Sequence, residues 1–168
     1  MTGVQTCALP IFQYAGQDVV PVPGTGGMLS ASATRAREIA SAADAVRRAT
    51  EPGDALVVIP EGQVLNEITG RRNPLRQKLY IPGYLTDENE AAVLEDFVRR
   101  RPRAIVIWYR PTSEYGPSLF GHGYGMRVMS WIRENYAAPV PTMPRSLNRL
   151  YLLRRPADPA APANGPPR

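Results

Sequence analysis

The chain has 168 residues, 43 % of them apolar, with 20 lysines and arginines against 15 acids and a net charge of +5. That is enough material for one domain with a real core, and the single cysteine, Cys7, excludes a disulfide framework or a cysteine-based zinc ribbon. Lys78 is the only lysine and the arginines are dispersed, except in "RRRPR" at 99–103, so the basic balance reads as the mark of a GC-rich coding sequence and no nucleic-acid partner is expected.

The opening "MTGVQTCALPIF" carries no charge, no helical period and no strand alternation. It has no basic n-region, and Pro10 interrupts its apolar run, so it is not a signal peptide. Residues 2–11 resemble a translated sequencing adaptor, in which ACT GGA GTT CAG ACG TGT GCT CTT CCG ATC gives Thr-Gly-Val-Gln-Thr-Cys-Ala-Leu-Pro-Ile. Residues 1–11 are therefore read as an artefactual leader and left out of fold reasoning, with native coding sequence expected upstream. No apolar run approaches the ~20 residues of a membrane helix.

"QDVVPVPGTGG" (17–27) is a short apolar piece broken by prolines, which fits an edge strand or an extended entry segment. From Ser32 to Ala49, Ile39, Ala42, Ala43 and Val46 recur at helical spacing. Ser30 or Ser32 can cap that helix, Arg47 and Arg48 suit its negative end, and "EPGD" stops it. "ALVVIP" (55–60) reads as a buried parallel strand, and "EGQVLNEITG" as a short helix closed by Gly70. "KLYIPGYL" is a weak strand or loop. "TDENEAAVLEDFVRRR" is the clearest helix, capped by Thr86 or Asp87, with Val93, Leu94, Phe97 and Val98 as its buried stripe. "AIVIWYR" (104–110) is the second core strand, followed by a Gly-rich loop to about Gly125. "MRVMSWIRENY" is a helix with Val128, Met129, Ile132 and Tyr136 on one side, and "RLYLLRR" (149–155) a final strand. This order predicts a single α/β domain over 12–155, a layered sandwich with a mostly parallel sheet. The alternative is an α+β domain with an antiparallel edge strand. The Pro/Ala-rich stretch 156–168 reads as a disordered tail.

Ligands of open parallel sheets sit outside the carboxyl ends of the strands. Glu61, Arg110, Glu114, Tyr115, His122 and Tyr124 therefore converge if strands 55–60 and 104–110 are neighbours. Otherwise the glycines and prolines shape turns and the polar groups cap helices. "GHGYG" (121–125) misses the dinucleotide fingerprint in position and spacing, and gives backbone freedom before a helix start. His122 is the sole histidine, so no metal site and no cofactor are expected. A serine triad assembled from Ser113 or Ser118 lacks the G-x-S-x-G elbow. In "TGRRNPLR" (69–76), Arg71 and Arg72 before the Asn73-Pro74 turn either clamp a phosphate or brace the loop against Glu61, Glu67 or helix carbonyls.

The series "GDALVVIPEGQVLNEITGRRNP", "LYIPGYL", an acidic helix, "PRAIVIWYRPTSEYG", "FGHGYG" and "WIRENY" resembles the soluble C-terminal domain of bacterial GT-C type membrane glycosyltransferases. These are the group related to protein mannosyltransferases and aminoarabinose transferases, and the resemblance covers about residues 24–155. It implies a polyprenyl-phosphate-linked sugar donor and a parent in the cytoplasmic membrane with this domain on its extracytoplasmic side. It also implies a membrane-helix bundle of the same polypeptide as partner. The family's catalytic acid lies in an early loop between membrane helices, so no catalytic residue carries over and the fragment alone is expected to be non-catalytic. The competing classes are a stand-alone small α/β binding protein or enzyme with its site at the ends of strands 55–60 and 104–110, and an adaptor for anionic surfaces working through "RRRPR".

Overall fold

The computed structural model describes residues 18–110, 112–116 and 119–153; the leader, the tail and the Ser113 side chain lie outside the described parts. β1 (Val19–Pro21) and β2 (Ser30–Ser32) form an antiparallel hairpin. It runs directly into α1 (Ala33–Ala49), whose first turn is capped by Ser32 accepting from the Arg35 N–H at 3.4 Å. β3 (Leu56–Ile59) is followed by α2 (Val64–Thr69), closed by Gly70 with φ 68°, and by a long turn region leading to α3 (Glu90–Arg100). Then come β4 (Ala104–Ile107), the two-residue strands β5 (Leu119–Phe120) and β6 (Gly123–Tyr124), and α4 (Met126–Asn135). β7 (Val140–Pro141) and β8 (Arg149–Leu152) close the order. Among the described residues, no helix is long and apolar enough to cross a membrane.

The main sheet has the order β3-β4-β8-β7. β3 and β4 are parallel and in register, Leu56 opposite Ala104 and Ile59 opposite Ile107. β8 runs antiparallel to both β4 and β7. The layered α/β architecture stands, but the sheet is mixed rather than mostly parallel. Its parallel pair is the one joined through helices; the return through α4 and β7 brings the last strand in the opposite direction. Pro141, which has no N–H for a ladder, sits on the edge strand where it does no harm.

Both faces of the sheet are covered. Leu56, Val58, Ala104, Val106 and Leu150 pack with α1 and α2 residues such as Ile39, Val46 and Leu65. Their neighbours Val57, Ile59, Ile105 and Tyr151 pack on the opposite face with Val93 and Phe97 of α3 and Val128 and Ile132 of α4. Period-two alternation sends successive side chains to opposite faces, so a strand between two helical layers is apolar at every position. Ile107, the last residue of β4, is paired on both sides, with Ile59 and Arg149, yet is only partly buried. Val98, expected in the buried stripe of α3, is 49 % exposed; the inward face is set by Glu90, Val93 and Phe97, and Val98 lies one helical step past it.

The open edge of β3 is covered at its first residue from within the chain. The Leu56 N–H donates to Arg72 O at 3.1 Å, and the Asn66 side-chain amide donates to Leu56 O and Arg71 O, both at 2.9 Å. Pairing there shortens the edge that another strand could use as a template.

Asp96 on α3 ties that helix to the turn region. Its carboxylate accepts from the Arg76 N–H at 2.8 Å and pairs with Arg99 at 2.5 Å. Burial works to raise its pKa, but the Arg76 N–H together with Arg99 and Arg100 outweighs it and holds the carboxyl below its ordinary value. A carboxylate lowered on folding adds stability that is complete above the unfolded value near ~3.9 and is lost as pH falls through the folded one. Asp96→Asn should therefore cost melting temperature at pH 7, with the gap to the wild type closing below about pH 4. A gap that stays constant from pH 7 to pH 3 would show that the carboxylate charge contributes nothing.

Candidate functional site

The parallel register of β3 and β4 brings their carboxyl ends side by side. The pairing continues past the strands, with the Trp108 N–H donating to Ile59 O at 2.6 Å and the Tyr109 N–H donating to the Asn148 side-chain oxygen at 2.6 Å. After β3 the chain folds back at Gly62, where φ is +140° and a Cβ would meet Val58 Cγ1 at 2.7 Å. Only glycine fits this fold-back, which leaves Glu61 standing at the strand end.

Arg110 is the hub of what gathers there. Its Nε lies 2.8 Å from Glu61 Oε1 and its Nη2 3.0 Å from Glu114 Oε1. Its guanidinium carbon is 6.0 Å from the centre of the Tyr115 ring, and Nη1 is buried with no hydrogen-bond partner. Burial works against the Arg110 charge, but Glu61, Tyr115 and Glu114 more than compensate and raise its pKa. Tyr124 is buried in the core, its ring 5.8 Å from that of Phe120. Burial pushes its phenol above the ordinary range, against the opposing effect of the Thr112 hydroxyl and the Arg110 charge. The outer residues stay accessible: the side chains of Glu61 and Glu114 are 39 % and 55 % exposed, and Tyr115 is 46 % exposed.

Four of the six side chains expected at the strand ends thus meet, Glu61, Arg110, Glu114 and Tyr115, while Tyr124 is buried in the core against Phe120 and is linked to them by charge alone. His122 is exposed in the turn before α4, where its backbone N–H donates to Leu119 O at 2.9 Å, and the contacts that tie the cluster together do not include it. Ser118 lies outside the described residues, and Ser113 is described by its backbone alone. Among the described residues no group of three or more His, Cys, Asp or Glu side chains could hold a metal ion.

The second candidate stretch separates its two arginines. Arg71 is buried, its Nε 3.2 Å from Thr50 Oγ1 and its Nη2 2.8 Å from Thr50 O, with a further bond to Thr69 O. Its partners are a threonine at the end of α1 and the last carbonyl of α2, not Glu61 or Glu67. Arg72 is exposed. Asn73 accepts from the Leu75 N–H at 3.0 Å and so closes the turn.

Two buried acids escaped the sequence reading. Glu90 accepts from the Arg127 and Val128 N–H groups at 2.7 and 3.1 Å, which caps α4 from α3. Asp96 borders a cleft of about 270 Å³ between α3 and the 75–80 segment. Two of its polar side chains are committed to neighbouring backbone, with Gln77 donating to Leu79 O and Tyr84 O, and Asn89 accepting from the Thr86 N–H and donating to Tyr84 O. Comparisons with family models, curated protein sequences and solved structures found no match to this chain.

Proposed function

We propose that the chain is the non-catalytic soluble domain of a bacterial GT-C type membrane glycosyltransferase, and that the cluster around Arg110 helps hold the sugar of a polyprenyl-phosphate-linked donor or its acceptor. The observation that carries the site is the grouping of two accessible carboxylates, a guanidinium and a half-exposed aromatic ring on adjacent strand ends. Sugar hydroxyls donate to carboxylates and accept from guanidinium N–H groups, while the C–H face of a pyranose ring lies on an aromatic side chain. The membrane assignment rests on the run of motifs from "GDALVVIPEGQ" to "WIRENY". The second reading, a stand-alone α/β binding protein or enzyme, uses the same cluster.

Two measurements test this. Monosaccharides titrated into the chain should shift the amide resonances of Glu61, Arg110 and Tyr115, and Arg110→Ala should abolish the effect. Unmoved resonances at tens of millimolar sugar would remove the site. Coding sequence upstream with several apolar spans of about 20 residues would support the membrane parent, whereas a stop codon there would leave the stand-alone reading.

A further inference from the structure

The sequence invites Arg71 and Arg72 to act as a pair, and the structure pairs Arg72 with Arg100 instead. A cleft of about 370 Å³ lies at the amino ends of β3 and β4, the opposite end of the strands from Arg110, and is lined by Gly53, Ala55, Arg72, Asn73, Pro74 and Arg100. No carboxylate is in that lining. The neighbouring Asp54 turns its side chain back onto the Glu51 N–H at 2.8 Å.

We propose that this cleft binds a phosphate group. Arg72 is held at the sheet edge by its own backbone, since Arg72 O accepts from the Leu56 N–H, while its exposed side chain makes no ion pair or hydrogen bond among the described residues. Arg71 fixes the turn beneath it through Thr50 and Thr69. Adjacent arginines thus divide the work, one bracing and one presented. Arg100 comes from the last turn of α3 with its side chain 51 % exposed. Its contact with Asp96 is long at 3.9 Å, to an oxygen that Arg99 already holds at 2.5 Å. Asn73 spends its carbonyl oxygen on the turn and has a buried amide nitrogen with no partner.

Two guanidinium forks on a small-residue wall match the several acceptor oxygens and the charge of a phosphate. The exposed Arg72 guanidinium is thus free to donate to an incoming anion, while its neighbour Arg71 is fully bonded. Gly53, whose φ of +93° favours glycine, stands on the wall with open space where a Cβ would be. This assignment does not depend on the sugar site, which lies at the other end of the strands.

The test uses the whole chain with two probes that separate the sources of phosphate. Pyrophosphate is titrated while the amide resonances of Gly53, Ala55 and Arg72 are followed, and retention on phosphatidic acid vesicles is compared with retention on phosphatidylcholine vesicles. Arg72→Gln and Arg100→Gln should each weaken binding roughly tenfold or more with unchanged melting, and Arg72→Lys should weaken it despite keeping the charge. Arg48→Gln, an exposed arginine of α1, should leave it unaffected. Pyrophosphate binding without vesicle retention assigns a soluble phosphate ester, and retention that needs both phosphatidic acid and the two arginines assigns a lipid headgroup. Neither probe binding at millimolar concentration would overturn the proposal. So would equal weakening by Arg48→Gln, which reveals attraction to net charge alone.

Discussion

Replacing Phe97 by alanine should cost about 3–5 kcal/mol of stability and lower the melting temperature by roughly 10 °C or more. Phe97 is fully buried and is the side chain where three elements meet. Its ring centre lies 5.9 Å from that of Tyr80 in the long turn region and 5.9 Å from that of Trp131 on α4, the latter edge to face. Trp131 in turn stands 5.7 Å from Tyr136, whose hydroxyl donates to Pro102 O at 2.6 Å. Removing the first ring of this chain leaves a void that neighbours on a sheet and two helices cannot close without moving together. Val98→Ala, one residue on and half exposed, should change stability by less than about 0.5 kcal/mol. A Phe97→Ala loss below about 1 kcal/mol would mean that α3 does not seal this face of the sheet.

The contrast between Phe97 and Val98 shows what a sequence can and cannot carry. The helical period of α3 is plain, but the width of its apolar stripe admits either residue, and only the packing against Tyr80 and Trp131 selects the inner one. Strands β3 and β4 were legible for a different reason. Buried on both faces, they read as unbroken β-branched runs, but whether they were neighbours stayed open until the register paired Leu56 with Ala104. The direction of β8 was not legible, because "RLYLLRR" has the same apolar content whichever way it runs. β7 is two residues long with a proline, too short to leave a pattern.

The site divides along the same line. Glu61 and Arg110 met because both follow a strand end by a fixed number of residues, and register converts that into proximity. His122 sits in the tight turn between β5 and β6, whose pairing is with each other and not with β3 or β4, so the register of the main sheet does not bring it to the cluster. Arg72 and Arg100 share a cleft because Arg72 is hydrogen-bonded to the start of β3 while Arg100 ends the helix leading into β4. Nothing local in "RRNP" or "RRRPR" announces that meeting. The bracing of Arg71 was legible in part: a helix carbonyl was among the partners expected and Thr69 O is one, whereas Thr50, a hydroxyl and carbonyl partner distant in sequence, has no charge signature to announce it.

Glu90 gives the second large effect, and Glu90→Ala should lose about 2–4 kcal/mol. In the sequence it is one acid among several at the start of a helix, where acids are ordinary complements to the helix dipole. In the structure it is 4 % exposed and serves another helix. α4 begins at Gly125, whose φ of 66° and lack of a side chain leave the first N–H groups of the helix without a local cap. A larger residue is barred there, because a Cβ on Gly125 would meet the Phe120 ring at 2.4 Å. The carboxylate of Glu90 supplies the missing acceptor from across the core, to Arg127 N at 2.7 Å and Val128 N at 3.1 Å. Alanine would strand the Val128 N–H in a fully buried position and leave the Arg127 N–H to water. Glu90→Gln keeps an acceptor of the same shape but loses the charge facing the positive helix end, so about 1–2 kcal/mol should go. Glu95→Ala, an exposed acid on the same helix, should shift stability by no more than about 0.5 kcal/mol. Urea midpoints at constant m would report the order directly. Equal midpoints for Glu90→Ala and Glu95→Ala would mean that Glu90 is only one more acid near a helix start, and that the start of α4 is held by packing of its own residues in the core rather than by a cap.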